Sequence, residues 1–147
     1  MYGINPELTM AEVYNYQEMM HNHHDASHAL SRLEAHQGKV DPTLQELWAE
    51  KEGTSLGIDL DKFWRVTLQV MREELCGHEG FRTKVREYTK SPESTVLLTG
   101  LITYLVGVVS LPINPAIATI ITIYILKVGL NIFCEYTEPE IPSALPA

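Results

Sequence analysis

Thr95-Val-Leu-Leu-Thr-Gly-Leu-Ile-Thr-Tyr-Leu-Val-Gly-Val-Val-Ser-Leu111 is a run of seventeen residues without a charge. Ala116 to Cys134 adds nineteen more, and Lys127 is their one charge. Between the two lies Pro112-Ile-Asn-Pro115, which joins two helix-stopping prolines to a turn-tolerant Asn. The arms are therefore expected to fold back antiparallel as a hairpin. The second arm is rich in β-branched residues (Ile117, Thr119, Ile120, Ile121, Thr122, Ile123) and has strand propensity in water. Its length exceeds that of an ordinary strand, so helix is the better reading.

A surface helix needs a polar face, and neither arm has one, which leaves a membrane span or an enclosed core hairpin. The first arm would reach about 26 Å as a helix, slightly under the roughly 30 Å of bilayer hydrocarbon. Thr99, Gly100, Thr103 and Gly107 share one side of this arm, and Ala118, Thr122 and Gly129 share a side of the second. Small residues on facing helices allow close approach in lipid. Arg82, Lys84, Arg86 and Lys90 precede the hairpin, and the positive-inside bias puts that end in the cytoplasm. Lys127, about seven residues from the end of its arm, is placed either to snorkel to the interface or, in an assembly, to line a pore.

Before the hairpin the periodicity is helical. Pro6-Glu7 opens a stretch with no further Pro or Gly until Gly38, which reads as one long helix with Leu8, Tyr16, Met19, His23, Ala26, Leu30 and Leu33 on its packed face. Asp41-Pro42 starts a short helix carrying Leu44, Leu47 and Trp48. Asp59 or Asp61 caps another with Leu60, Trp64, Leu68, Met71 and Leu75 at helical spacing, both tryptophans serving as core anchors. Phe81, Val85 and Tyr88 mark a further three turns, after which Ser91-Pro92-Glu93 reads as the next cap and first turn.

Opposite the apolar face of the first helix, Glu18, His21, His24, Asp25 and His28 follow the pattern E-x2-H-x2-H-D-x2-H. Imidazoles and carboxylates at these spacings can share a divalent ion such as zinc, although no cofactor is expected. A solvated polar face is the simpler reading, because no second helix carries matching ligands. A di-iron bundle would need paired Glu-x-x-His motifs and further inward Glu residues, and only Glu18-His21 matches.

The formal charge is -8. Residues 1 to 93 hold ten basic and sixteen acidic side chains, and residues 135 to 147 hold three Glu and no base. Such a balance demotes nucleic acid as a partner, since phosphate binding needs clustered Lys and Arg. Cys76 and Cys134 stand far apart without a CxxC pattern and read as two ordinary buried thiols. Met1 to Glu7 carries no basic, apolar or cleavage-site segment of a secretory signal, which points to a cytosolic N-terminal part. No phosphate loop, G-x-S-x-G or H-E-x-x-H motif is present, so no catalytic residue is assigned and an enzyme is the less favoured class.

The expectation is an all-α protein: an acidic antiparallel helical domain over 1–91, an apolar helical hairpin of two candidate transmembrane helices over 92–134, and an acidic Pro-containing tail over 135–147. Its function is expected to be that of a small protein attached to the cell membrane. The helical domain, cytoplasmic like the tail, would sense or dock a partner, and the hairpin would anchor or, on oligomerisation, perturb the lipid bilayer. The alternative is an all-helical structural or adaptor subunit that buries the hairpin in a homo-oligomer or against a protein partner.

Overall fold

The computed structural model describes residues 7–52, 60–109 and 113–136. Over these the chain is all-α, with α1 (Met10–Met19), α2 (His24–Ala35), α3 (Val40–Glu52), α4 (Leu60–Leu75), α5 (Glu79–Lys90), α6 (Thr95–Val108), α7 (Pro115–Val128) and α8 (Leu130–Tyr136). An isolated bridge between Glu7 and Lys39 is the one extended pairing among the described residues.

The long first helix expected from Pro6 to Gly38 is two helices. Thr9 and Glu12 form a reciprocal capping box that starts α1, and the chain turns at Met20–His23. His23 ends the turn by accepting a hydrogen bond at Nδ1 from the Ala26 amide (3.1 Å), while the Ser27 hydroxyl donates to the Met20 carbonyl (2.9 Å). These side chains offer the backbone an alternative to continuous helix, a local competition that a search for Gly and Pro breaks overlooks. Gly38 does stop α2. Its amide returns to the Leu33 carbonyl (2.9 Å) as in a Schellman cap, with Gln37 left-handed at φ 59°.

α3 starts at Val40, so Asp41 lies in its first turn and is not the cap. The caps proposed at Asp59 and, as a side chain, at Asp61 lie outside the described residues, as does the Trp64 side chain, whereas Met71 and Leu75 of the same stripe are buried. On α5 the Phe81, Val85 and Tyr88 stripe is buried. The cap of α6 is Ser94, whose Oγ accepts from the Leu97 amide (3.1 Å), three residues later than the expected Ser91.

α7 is the central helix. It packs against α2, α3, α6 and α8, and every residue from Ala116 to Ile125 is buried. Each isoleucine so enclosed contributes about 1.5–3 kcal/mol relative to exposure, enough for packing to override the strand preference of a β-branched run. Asn114 caps it, Oδ1 accepting from the Ile117 amide (2.9 Å), with Pro115 at the first helical position. The hairpin is thus present, but its second arm is enclosed by the amphipathic helices of the same chain. No described helix is long and apolar enough to cross a membrane. At 14 residues each, α6 and α7 reach about 21 Å, so the expected pair of transmembrane helices is unsupported.

The two cysteines are not free thiols. Cys76, just past α4, is joined to Cys134 on α8 in a disulfide with a Cα–Cα distance of 5.8 Å. Their separation of 58 residues leaves no local pattern, so only the tertiary arrangement brings them together.

Candidate functional site

The hairpin residues singled out by size divide between inside and outside. Ala118 and Thr122 are buried on α7. On α6 the buried set is Leu98, Leu101, Ile102 and Leu105, which meet α5 and α7. The small residues occupy the other side: Thr103 and Gly107 are exposed, and Thr99 and Gly100 are half-buried. A Cβ added at Gly100 or Gly107 would meet nothing within 4 Å, so neither glycine serves close packing inside this chain. Gly129 closes α7 at φ 87°, again with open space around its Cα.

Val96 extends this outer face and is 79% exposed, the most exposed of the large apolar side chains described. Val96, Thr99, Thr103 and Val106 recur at intervals of three and four, the heptad spacing of a helix–helix seam, with Gly100 and Gly107 beside it and Val106 half-buried at its edge against the core. Across Val96 to Gly107 the seam runs about 16 Å and carries no charge. Beside it, at the foot of α6, Thr95 Oγ1 donates to the Met19 carbonyl (3.1 Å) and fixes the helix to the end of α1. Tyr104, half-buried on the flank, is held by the α5 residues Phe81 and Lys84 and by the cap residue His78, 3.4 Å from its hydroxyl.

Lys127, the charge of the hairpin, lies at the bundle surface. Its Nζ donates to both carboxylate oxygens of Glu12 on α1, at 2.8 and 3.0 Å. That contact first holds the Glu12 carboxyl below its ordinary range, against the raising effect of burial and with lesser help from the Thr9 amide. Glu12 also lines a cleft of about 290 Å³, with Asn15, Tyr16, Tyr88, Thr89, Pro92 and Leu126. Burial raises both tyrosines above the usual phenol value, and Tyr88 donates to the Pro92 carbonyl at 2.6 Å. Neutral phenols of this kind pack and position.

The break between α1 and α2 interrupts the histidine pattern, yet His21, His24 and His28 still line one open cleft with Asn22, Ser27 and Ser31. Glu18 lies on α1, His21 in the turn with Nδ1 at its carbonyl (2.8 Å), and His24, Asp25 and His28 on α2. No group of three or more His, Cys, Asp or Glu among the described residues is arranged to hold a metal ion. His28 instead meets Glu50 of α3 (2.7 Å), Arg32 bridges Glu50 and Glu46 (3.0 and 3.3 Å), and His36 meets Glu46 (2.7 Å). Periodicity gives helical faces here but not which helices pair, so the ladder between α2 and α3 is not legible in the sequence.

No protein-family model, curated protein or solved structure matches the chain.

Proposed function

We propose that the protein is an interaction module: a helical bundle that associates through the outer face of α6 with the same face of a second copy. The observation that carries this reading is the uncharged heptad seam of Val96, Thr99, Thr103 and Val106, flanked by Gly100 and Gly107, on a helix whose other side is already packed. The apolar character of α7 needs no partner, because its own chain covers it. That of α6 is only half accounted for. Copies carrying a charge of -8 repel, and an uncharged face is where they approach at least cost. The glycines let two backbones come close, and a seam of this symmetry is complementary to itself across a twofold axis.

A single helix face falls at the low end of specific interface areas, so the association is weak and concentration-dependent. Sedimentation of the full chain over a wide concentration range tests it. Dimer formation abolished by Gly107→Glu, with helicity unchanged, is the expected result. A chain that stays monomeric to millimolar concentration overturns the reading.

The charge-free run from Ser94 to Leu126 favours a second reading, in which the bundle is a closed form that releases the hairpin to a bilayer. In that form Lys127–Glu12 and Cys76–Cys134 tie the hairpin back to the amphipathic helices. Carbonate-resistant recovery of the full chain from phospholipid vesicles supports release and opening. Full recovery in the supernatant removes it and leaves the interaction module.

A further inference from the structure

Cys76 and Cys134 sit in unlike surroundings, although one bond joins them. Both residues are half-buried rather than enclosed. Arg82 on α5 brings Nη2 to 3.9 Å from the Cys134 sulfur while its Nε donates to the Cys76 carbonyl. Arg72 on α4 donates from Nε to the Cys134 carbonyl (3.3 Å). Two guanidinium groups on two helices therefore converge on Cys134. Cys76 follows the last turn of α4, its amide bonded to the Arg72 carbonyl (3.0 Å), and Cys134 lies in the last turn of the shorter α8, so both helix ends disfavour a thiolate and the Arg82 contact is what distinguishes the two sulfurs. Glu135, next in sequence, is exposed, and on α5 Glu79 is engaged by Arg86.

We propose that this disulfide is a thiol-exchange site, with Cys76 the sulfur attacked and Cys134 the leaving group. The co-substrate is a dithiol, either a small molecule or a protein with paired cysteines. One thiolate of the dithiol attacks Cys76 Sγ, the Cys76–Cys134 bond breaks, and Cys134 departs as a thiolate beside the Arg82 guanidinium. The second thiolate of the dithiol then attacks the mixed disulfide, freeing Cys76 and closing the dithiol's own disulfide. Two electrons and two protons pass from the dithiol to the cysteine pair. Exchange depends on the leaving thiol as well as the attacking one, and a cationic neighbour that stabilises the departing thiolate speeds it. The product has α8 severed from α4 at the one covalent tie between them, with the Arg72 contact to the Cys134 carbonyl remaining.

The test uses the full chain. Glutathione as a monothiol traps the mixed disulfide, and peptide mapping by mass spectrometry identifies its sulfur, which is expected to be Cys76. Alkylation by iodoacetamide against pH, in Cys76→Ser and Cys134→Ser chains, is expected to place the Cys134 thiolate about tenfold more populated than that of Cys76 at neutral pH. Reduction by dithiothreitol is expected to slow about threefold or more in Arg82→Gln and to recover in Arg82→Lys. Circular dichroism checks that each variant folds, and the two single-cysteine chains decide the assignment even where an Arg82 variant does not. Trapping on Cys134, equal alkylation profiles, or a folded protein whose bond resists excess dithiothreitol overturns the proposal.

Discussion

Lys127 Nζ sits 2.8 and 3.0 Å from the two carboxylate oxygens of Glu12, an ion pair spanning 115 positions of sequence. It joins the far end of the central helix α7 to the first turn of α1, where Glu12 also completes the capping box with Thr9. One carboxylate thus serves a helix start and a tertiary contact. The one charge of an otherwise apolar segment thus sits at the rim of the bundle, where its ammonium is partly solvated.

The first prediction concerns that pair. Its side chains are 35% and 39% exposed, so solvent screens it and its contribution belongs to the surface range of about 0.2–1 kcal/mol. Lys127→Met is expected to cost no more than this. The Glu12 carboxyl is depressed in the folded chain, chiefly by the Lys127 hydrogen bond, so the pair's stabilisation is complete above the ordinary value of 4.5. It is lost as pH falls through the folded value. A urea midpoint that declines below pH 4.5 in the natural chain and declines less in Lys127→Met checks it.

Much of the helical content is legible in the sequence because its signals are local. Phe81, Val85 and Tyr88 at one-turn spacing fix α5, and Asn114-Pro115 marks the start of α7. What the sequence leaves open is nonlocal. An all-apolar arm reads alike whether lipid or neighbouring helices cover it, so the enclosure of α7 by α2 and α3 emerges only from the packing. The same holds for Cys76 with Cys134, and for His28 with Glu50. The small face of α6 is legible as a face, but not the side it turns to. The break at Met20–His23 is local and was missed for another reason: histidine is an uncommon cap, and it signals nothing in a search for Gly and Pro.

The second prediction follows from the α2–α3 ladder. Glu50 is held below its ordinary range, first by the hydrogen bond from His28 and further by Arg32, against the raising effect of burial. A depressed carboxyl contributes stability above its ordinary value of 4.5 and loses it as pH falls through the folded value. His28→Ala is expected to move the Glu50 titration upward when followed by carboxyl carbon NMR, and Arg32→Ala to move it less. An unchanged Glu50 titration in His28→Ala would show that the contact does not form in solution.

A third concerns the end of α2. Gly38 has φ 86°, and a Cβ placed there would lie 2.0 Å from the Leu8 carbonyl oxygen, a backbone atom that accepts no small adjustment. The Leu8 amide is itself bonded to the Gly38 carbonyl at 2.8 Å. Gly38→Ala is therefore expected to destabilise by about 2 kcal/mol or more, combining left-handed strain with the clash. Gln37, left-handed without being glycine, should respond in the opposite sense. Gln37→Gly is expected to stabilise by about 0.5 kcal/mol, relief of strain exceeding the added chain entropy. Paired denaturation curves read both.

The last prediction lies within α7. Thr122 is 1% exposed, and its Oγ1 has no hydrogen-bond partner, whereas Thr119 one turn earlier donates to the Pro115 carbonyl at 2.7 Å. A buried hydroxyl without a partner carries its desolvation cost uncompensated, about 1–3 kcal/mol. Valine has nearly the same shape, keeps the β-branch and removes the hydroxyl. Thr122→Val is thus expected to raise stability by about 1 kcal/mol, which for a chain of this size shifts Tm upward by about 3 °C. Thr119→Val forfeits a satisfied bond and should lower stability or leave it unchanged. Differential scanning calorimetry on the two variants separates them. A loss in Thr122→Val as large as that in Thr119→Val would mean that the Thr122 hydroxyl is bonded in solution and that α7 is less tightly enclosed than its burial implies.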